Sequence, residues 1–566
     1  MNEYIWLVTS PKPEASALSS ELGLPKEIAQ ILVNRGILSP ESAQEFLFAD
    51  LDKLHDPFLM KGMREAVSRI KRAISEREKI IVFGDYDVDG VLSVVMLLGA
   101  LEALGGEVDY FIPDRLKEGY GLKEKYADMV MEREASLVIS ADCGVKATGF
   151  VNKAKEQGID VIITDHHYPG DELPEALAIL NPVLRNSGYP DKSLAGVGVV
   201  FKLVQALFSE QKYDFSLSPY LRLVSIGTIS DVAELKGENR LLVKFGLKEL
   251  GRASNLGLKS LLAGCDLDEK KISVGDVGYR IGPRINAAGR MGKADLAVRL
   301  FLSKSQLESL ELAHQLETLN SQRQKVEGRI YKQALEHIEK NSLHKRYRFL
   351  ILGCEEWHRG VIGIITSRVK DIYYRPAILF AYEDGKAYGS GRSITEFSLI
   401  DCLNECKDFF LSYGGHRQAV GCVLHHEKMD SFKKAINSLA EKRLSDEHLK
   451  RKIRIDTAVD FNLLDSGFFE KYFLLFPLGM GNPSPVFLTE EAEVFSEPQR
   501  IHNKHVKFLV RQKGKTFEAL GWDKANLAQK IHKGDRIDLV YSLQFSKYLG
   551  REKFSVSLKD VKFSLR

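Results

Sequence analysis

The chain has 566 residues, roughly three to five domains at about 100–200 residues each, which excludes one compact module. Its 44% hydrophobic and 28% charged residues supply ample buried cores and exclude a disordered or collagen-like chain. Lys+Arg 80 and Asp+Glu 77 nearly cancel, which excludes a uniformly polybasic protein, yet residues 501–566 carry 15 Lys+Arg against 6 Asp+Glu, a basic tail suited to a polyanion.

The N-terminal MNEYIWLVTSPKPEAS lacks a basic start followed by an apolar run, so no secretion signal is expected. The six cysteines include no CxxC pair, which favours a reduced, cytoplasmic setting. From about 79 to 190 short apolar runs alternate with amphipathic stretches. KIIVFG, SLVIS and DVIIT read as strands buried on both faces, with VLSVVMLLGALEAL and GVKATGFVNKAKEQ as the helices between them. This is the pattern of a parallel sheet flanked by helices, in which ligands sit beyond the carboxyl ends of the strands. The segment Val91–Gly106 is too short to span a membrane and reads as a buried helix.

Residues 305–341 contain no Pro and one Gly, with Leu312, Leu316, Leu319, Val326, Ile330 and Ile338 near helical spacing. They predict a long connecting helix, broken if anywhere at Gly328, whose charges form a solvated face. RFLILG and RPAILFAYEDGKAYGSGRS then predict a second, smaller α/β domain with a hairpin turn at Asp384-Gly385. From about 453 short alternating segments predict a small barrel. The expected division is 1–304 for the N-terminal segment and first α/β domain, 305–341 for the connector, 342–445 for the second domain and 446–566 for the barrel.

The chemistry concentrates at strand ends. The first strand runs into Gly84-Asp85-Tyr86-Asp87-Val88-Asp89-Gly90, the second into Ser140-Ala141-Asp142-Cys143-Gly144, and the third into Thr164-Asp165-His166-His167. Alone, each acid reads more readily as a helix cap or a loop residue. Gathered at one sheet edge, carboxylates repel one another unless a cation sits among them. Oxygen ligands mixed with imidazole suit manganese or magnesium, and two ions sharing a carboxylate suit phosphate-ester hydrolysis.

These three motifs, followed by Ser225-Ile226-Gly227-Thr228-Ile229-Ser230-Asp231-Val232, resemble in order those of the DHH phosphoesterase family. The chain is most similar to the branch that digests single-stranded DNA from the 5′ end. That likeness extends through Gly282-Pro283-Arg284-Ile285-Asn286-Ala287-Ala288-Gly289-Arg290, Trp357-His358-Arg359-Gly360, Ser390-Gly391-Arg392-Ser393, Gly414-Gly415-His416-Arg417 and a terminal OB-like region. The resemblance implies a DHH catalytic domain, a DHH-associated domain and an OB barrel. It further implies catalytic Asp87, Asp89, Asp142, His166, His167 and Asp231, and two Mn2+ or Mg2+ ions held by Asp85, Asp87, Asp89, Asp142, His166 and Asp231, with Asp142 bridging. The pyrophosphatase branch has a histidine where this chain has Phe83, so the first metal site is ligated differently here.

For substrate, the resemblance implies that Ser390 and Arg392, with Arg115 of Ile112-Pro113-Asp114-Arg115, contact the terminal 5′ phosphate. Arg284, Arg290, His358 and His416 are implied along the strand's path. The implied activity is release of 5′-mononucleotides from single-stranded DNA in recombination and repair. A monomer working with a single-strand binding protein and a helicase, away from membranes, is expected. Alternatives are action on short RNA or cyclic dinucleotides, and a silent DNA-binding scaffold, which would be free to lose the ligands retained here. Among Phe508, Phe517, Trp522, Tyr541, Phe545, Tyr548 and Phe554 of the tail, most are expected to be core.

Overall fold

The computed structural model describes residues 4–119, 121–209, 216–267, 271–548 and 551–564. They form two compact units, Leu54–Lys450 and a second made of Met1–Lys53 with Arg451–Arg566.

In the unit Leu54–Lys450, five parallel strands form a sheet in the order Glu107–Phe111, Lys79–Gly84, Ala135–Ala141, Asp160–Thr164, Ala178–Leu180. The three central strands are the apolar runs seen in the sequence. They are near-continuously buried because helices cover both faces. The flanking Glu107–Phe111 and Ala178–Leu180 were not legible as strands: one is mostly half-buried with alternating charge, the other only three residues long. Because the chain passes from Lys79–Gly84 to one side and then returns to the other, the strand order reverses between Gly84 and Ala141, which pair in register. Such a reversal opens a crevice at the carboxyl edge. The helix Val88–Ala103 is buried on nearly every side, and the expected helix after Asp142 starts only at Thr148.

The connector is one unbroken helix, Gln306–Lys340, with no interruption at Gly328. Its charges are not all solvated. Arg323 and Glu327 are buried and bonded to each other at 2.6 Å, and Arg368 reaches Glu327 at 2.7 Å. The second sheet runs Phe410–His416, Ala419–His425, Lys386–Arg392, Ala377–Glu383, Leu350–Cys354. Glu383 pairs with Lys386 across a two-residue turn, and Asp384 and Gly385 both have left-handed φ, 49° and 71°, as that tight hairpin demands.

In the other unit, Phe487–Val494, Arg536–Tyr548, Arg551–Phe563, Lys515–Gly521 and His505–Gln512 pair successively. The last returns to the first through Glu493↔Arg511 and Val494↔Val510, closing a five-stranded barrel. The N-terminal helices Pro13–Leu22, Lys26–Asn34 and Pro40–Phe48 share its core, with Leu18, Ile28, Leu32 and Leu47 clustered with Phe461, Tyr472 and Val510. The expected grouping of residues 1–304 is therefore corrected: the first 53 residues pack with the barrel. Phe508 and Tyr541 are core, while Trp522 is 51% exposed. The side chain of Tyr548 lies outside the described residues.

Candidate metal centre

The three central strands end level with one another. The Asp85 N–H donates to the carbonyl of Ala141, that of Asp142 to Thr164 and that of Asp165 to Leu180, so three aspartates leave one edge in step. Asp142 then turns back with φ 62°, a left-handed conformation that costs a non-glycine residue energy and recurs at functional sites. Asp87 caps the buried helix Val88–Ala103, its Oδ1 accepting from the Gly90 N–H at 3.1 Å. Two residues on, Asp89 faces inward and accepts at 2.8 Å from each of the Gly196 and Val197 N–H groups, the amino end of the helix Gly196–Phe208. Asp231 comes from the far end of the helix Ser218–Ser230.

These residues meet in three overlapping groups: Asp85, Asp87 and Asp142; Asp142, His166 and His167; and Asp89, His166 and Asp231, with the ligand atoms of each group within 4.8 Å of one another. Asp142 and His166 each belong to two groups. The Nε2 of His166 lies 3.2 Å from Asp142 and 3.9 Å from both Asp89 and Asp231.

The electrostatics fit a cation. Burial first, then the charge of Asp87, pushes the Asp89 carboxyl up to about 7 and raises Asp85 well above the ordinary range. Asp142 is raised by burial and by the surrounding Asp89, Asp87, Asp231 and Asp85. His166 is pushed down to about 4 by burial and the neighbouring His167, so its ring is neutral and offers a lone pair. Its buried Nε2 and the Oδ1 of Asp85 find no hydrogen-bond partner among the described residues. Acceptors stripped of water and of donors are costly unless a positive ion satisfies them. Gly196 has no room for a side chain, since a Cβ there would collide with the Asp142 carboxylate.

Asp165 buttresses the histidines. Its Oδ1 accepts from the backbone N–H of His166 at 2.7 Å and of His167 at 3.0 Å, and lies 2.8 Å from the His167 ring. Burial would raise Asp165, but the bonds with His167 hold it below the ordinary range. The same pairing raises His167 against its own burial. The sequence drew attention to Asp165 only as part of a motif. The Gly196 and Val197 donors were missed, although LAGVGVV, with small residues opening an apolar helix, was the available signal.

The helix Gly282–Arg290 lies against the first motif so tightly that a Cβ on Gly289 would strike the Tyr86 carbonyl. Arg290 at its end is half-buried, donates to the Gly360 carbonyl at 3.3 Å and is pushed down to about 10 by desolvation and by Arg115 and Arg323. The Arg115 guanidinium stands 4.9 Å over the Tyr86 ring. Ser390 and Arg392 project from the strand Lys386–Arg392 toward Gly363 at the amino end of the helix Ile362–Tyr373, where a Cβ would meet them at 2.9 and 3.4 Å. Arg392 is lowered by burial and by Arg115. His358 sits beside Gly360, its Nδ1 accepting that N–H at 3.2 Å. Arg284 and His416 complete the residues expected along the strand's path. Arg284 is paired with Glu317 of the connector and donates to the Arg280 carbonyl, so both its faces are engaged. His416 is exposed at the end of the edge strand Phe410–His416.

Carboxylates and imidazoles gathered at the carboxyl edge of a parallel sheet, with Arg115 and Arg290 nearby and Arg392 reaching in from the second sheet, define a metal-dependent phosphoesterase of the DHH class. Residues 79–228 match the DHH family, N-terminal domain, residues 346–442 the DHHA1 domain and residues 455–560 the RecJ OB domain. The single-stranded-DNA-specific exonuclease RecJ of Bacillus subtilis is 38% identical over 566 residues, covering 99% of this chain and 71% of its own. That of Escherichia coli is 31% identical over 592 residues, covering 99% and 100%. The crystal structure of RecJ in complex with Mn2+ from Thermus thermophilus matches with a TM-score of 0.85 at 30% identity, over 100% of this chain and 80% of that one; its Mg2+ complex matches at 0.79. The chain belongs to the RecJ family of single-stranded-DNA-specific exonucleases.

Proposed function

We propose that this protein removes nucleotides from the 5′ end of single-stranded DNA by metal-dependent hydrolysis, releasing 5′-mononucleotides during recombination and repair. The observation that carries the reading is the set of buried, mutually repelling acceptors around His166 Nε2. Asp85, Asp87 and Asp142 would hold one divalent ion and Asp89, His166 and Asp231 a second, with Asp142, 3.2 Å from His166, placed to serve both. Bound there, Mn2+ or Mg2+ lowers the pKa of a water and neutralises charge on the phosphate. The protein's own work is to fix the acceptors: Gly196 and Val197 orient Asp89, and Asp165 orients both histidines. No side-chain nucleophile is required.

Polarity follows from an end pocket. Arg115, Ser390, Arg392 and the amino end of the helix Ile362–Tyr373 offer donors and positive charge suited to a terminal phosphate dianion. Arg290 and His358 would line the adjoining path. Action as a cytoplasmic monomer, with a helicase and a single-strand binding protein supplying substrate, belongs to the same reading. The test labels one oligonucleotide at its 5′ end and another at its 3′ end and follows digestion with Mn2+, with Mg2+ and with chelator. Immediate release of labelled mononucleotide from the 5′-labelled strand, and none with chelator, is expected. Release first from the 3′-labelled strand would overturn the polarity.

A further inference from the structure

Arg359 lies in the loop before the helix Ile362–Tyr373, and its three contacts tie together pieces of chain that are far apart in sequence. Its guanidinium stands 4.9 Å over the Tyr388 ring, pairs with Glu383 at 3.5 Å and donates to the backbone carbonyl of Leu116. Tyr388, Ser390 and Arg392 are alternate residues of one strand and share the face opposite the buried Ala387 and Gly391. Leu116 is the residue after Arg115. Arg359 thus rests on the strand that presents Ser390 and Arg392 while gripping the segment that presents Arg115.

That segment needs such a grip. Around Arg115 the chain is a run of turns held locally by Asp114, whose Oδ1 accepts from the Leu116 N–H at 2.8 Å and the Lys117 N–H at 3.2 Å. Arg115 itself approaches the Tyr86 ring and is drawn by the charge of Asp85, with no hydrogen bond of its guanidinium among the contacts described. Both Arg290 and Arg392 feel Arg115 as a like charge, a repulsion that the attraction of Asp85 opposes and that an anion between the arginines would relieve. A donor fixed by stacking and by an ion pair, bonded to the adjacent carbonyl, also opposes that repulsion and keeps the three phosphate-facing groups in place before the strand arrives.

We propose that Arg359 is a positioning residue that latches the Arg115 loop to the strand bearing Ser390 and Arg392, so that preference for a 5′-phosphorylated end depends on it. The inference rests on the end-pocket reading above. It is tested by measuring kcat and KM on the same oligonucleotide bearing a 5′ phosphate or a 5′ hydroxyl, for the wild type, Arg359→Ala, Arg359→Lys, Arg115→Ala and the Arg115→Ala/Arg359→Ala double variant. In Arg359→Ala the preference should fall on the order of tenfold, through KM of the phosphorylated strand. Arg359→Lys keeps the charge but not the planar stack, and should lose part of the preference; it serves as the reading if the alanine variant does not fold. The double variant should be no worse than Arg115→Ala alone, because Arg359 acts through Arg115. Preference retained in both Arg359 variants, or losses that multiply in the double variant, would overturn the latch. A wild type that ignores the 5′ phosphate would instead overturn the end pocket itself.

Discussion

Asp142 shows how one position carries both the chemistry and its cost. It is 2% exposed, left-handed in backbone, and surrounded by Asp85, Asp87, Asp89 and Asp231. Burial leads in raising Asp85, Asp89, Asp142 and Asp231, and neighbouring carboxylates add to it. A carboxyl raised in the folded state favours folding while protonated. That contribution is complete below the unfolded value of about 4 and disappears as pH rises through the folded value. For Asp89 the loss runs from about 4 upward and is complete once pH has passed about 7. Metal-free protein should therefore melt at progressively lower temperature as pH rises from about 5 to about 8, and Mn2+ should abolish most of the fall by taking the place of the protons. Asp142→Asn removes one of the repelling charges, so it should raise the melting temperature of the metal-free protein at about pH 8. It should also cost more turnover than the roughly 10–100-fold loss that follows removal of a supporting partner. Melting curves with and without Mn2+ across this range check it; a pH-independent metal-free melting temperature would contradict the account.

Where elements are concerned, legibility followed burial. The strands Lys79–Gly84, Ala135–Ala141 and Asp160–Thr164 are buried on both faces, so their apolar runs and the acids beyond them stood out in the sequence. The edge strand Glu107–Phe111 carries no such run, and the backbone donors at Gly196 and Val197 carry no side-chain chemistry to notice. Spacing alone likewise could not show that Arg323 and Glu327 turn inward, because their burial depends on Arg368 arriving from a later helix. The connector offers a direct check on the physics of its one glycine. Gly328 is exposed in mid-helix, and a Cβ there would meet nothing within 4 Å. Glycine costs a helix interior about 0.5–1 kcal/mol relative to alanine, through backbone freedom lost on folding. Gly328→Ala should stabilise Leu54–Lys450 by about that amount without changing KM, read by chemical denaturation. A destabilising result would mean that the helix bends or opens there in use.

Joining the two ends of the chain in one unit changes what a truncation can mean. The sequence suggests that the basic tail could be removed on its own, but Leu18, Ile28, Ile31, Leu32 and Leu47 of the N-terminal helices are buried in a core completed by Phe461, Phe468, Tyr472, Val506 and Val510. Each such aliphatic side chain gains about 1.5–3 kcal/mol from burial, so stripping away their cover exposes an adhesive apolar face. Deleting residues 453–566 alone should therefore give a protein that aggregates. The fragment 54–450 contains a whole compact unit, including the residues that gather around Asp142, and should remain soluble and cleave DNA with divalent metal. It lacks the 15 Lys+Arg of residues 501–566, so its strand binding should be weaker and fall less steeply with salt, because fewer counterions are released on binding. Size-exclusion profiles of both fragments, with binding measured from low to moderate salt, separate these expectations. A well-behaved 1–452 fragment would show that the N-terminal helices need no barrel to cover them, and an unchanged salt slope for 54–450 would show that the tail's charge does not touch the strand.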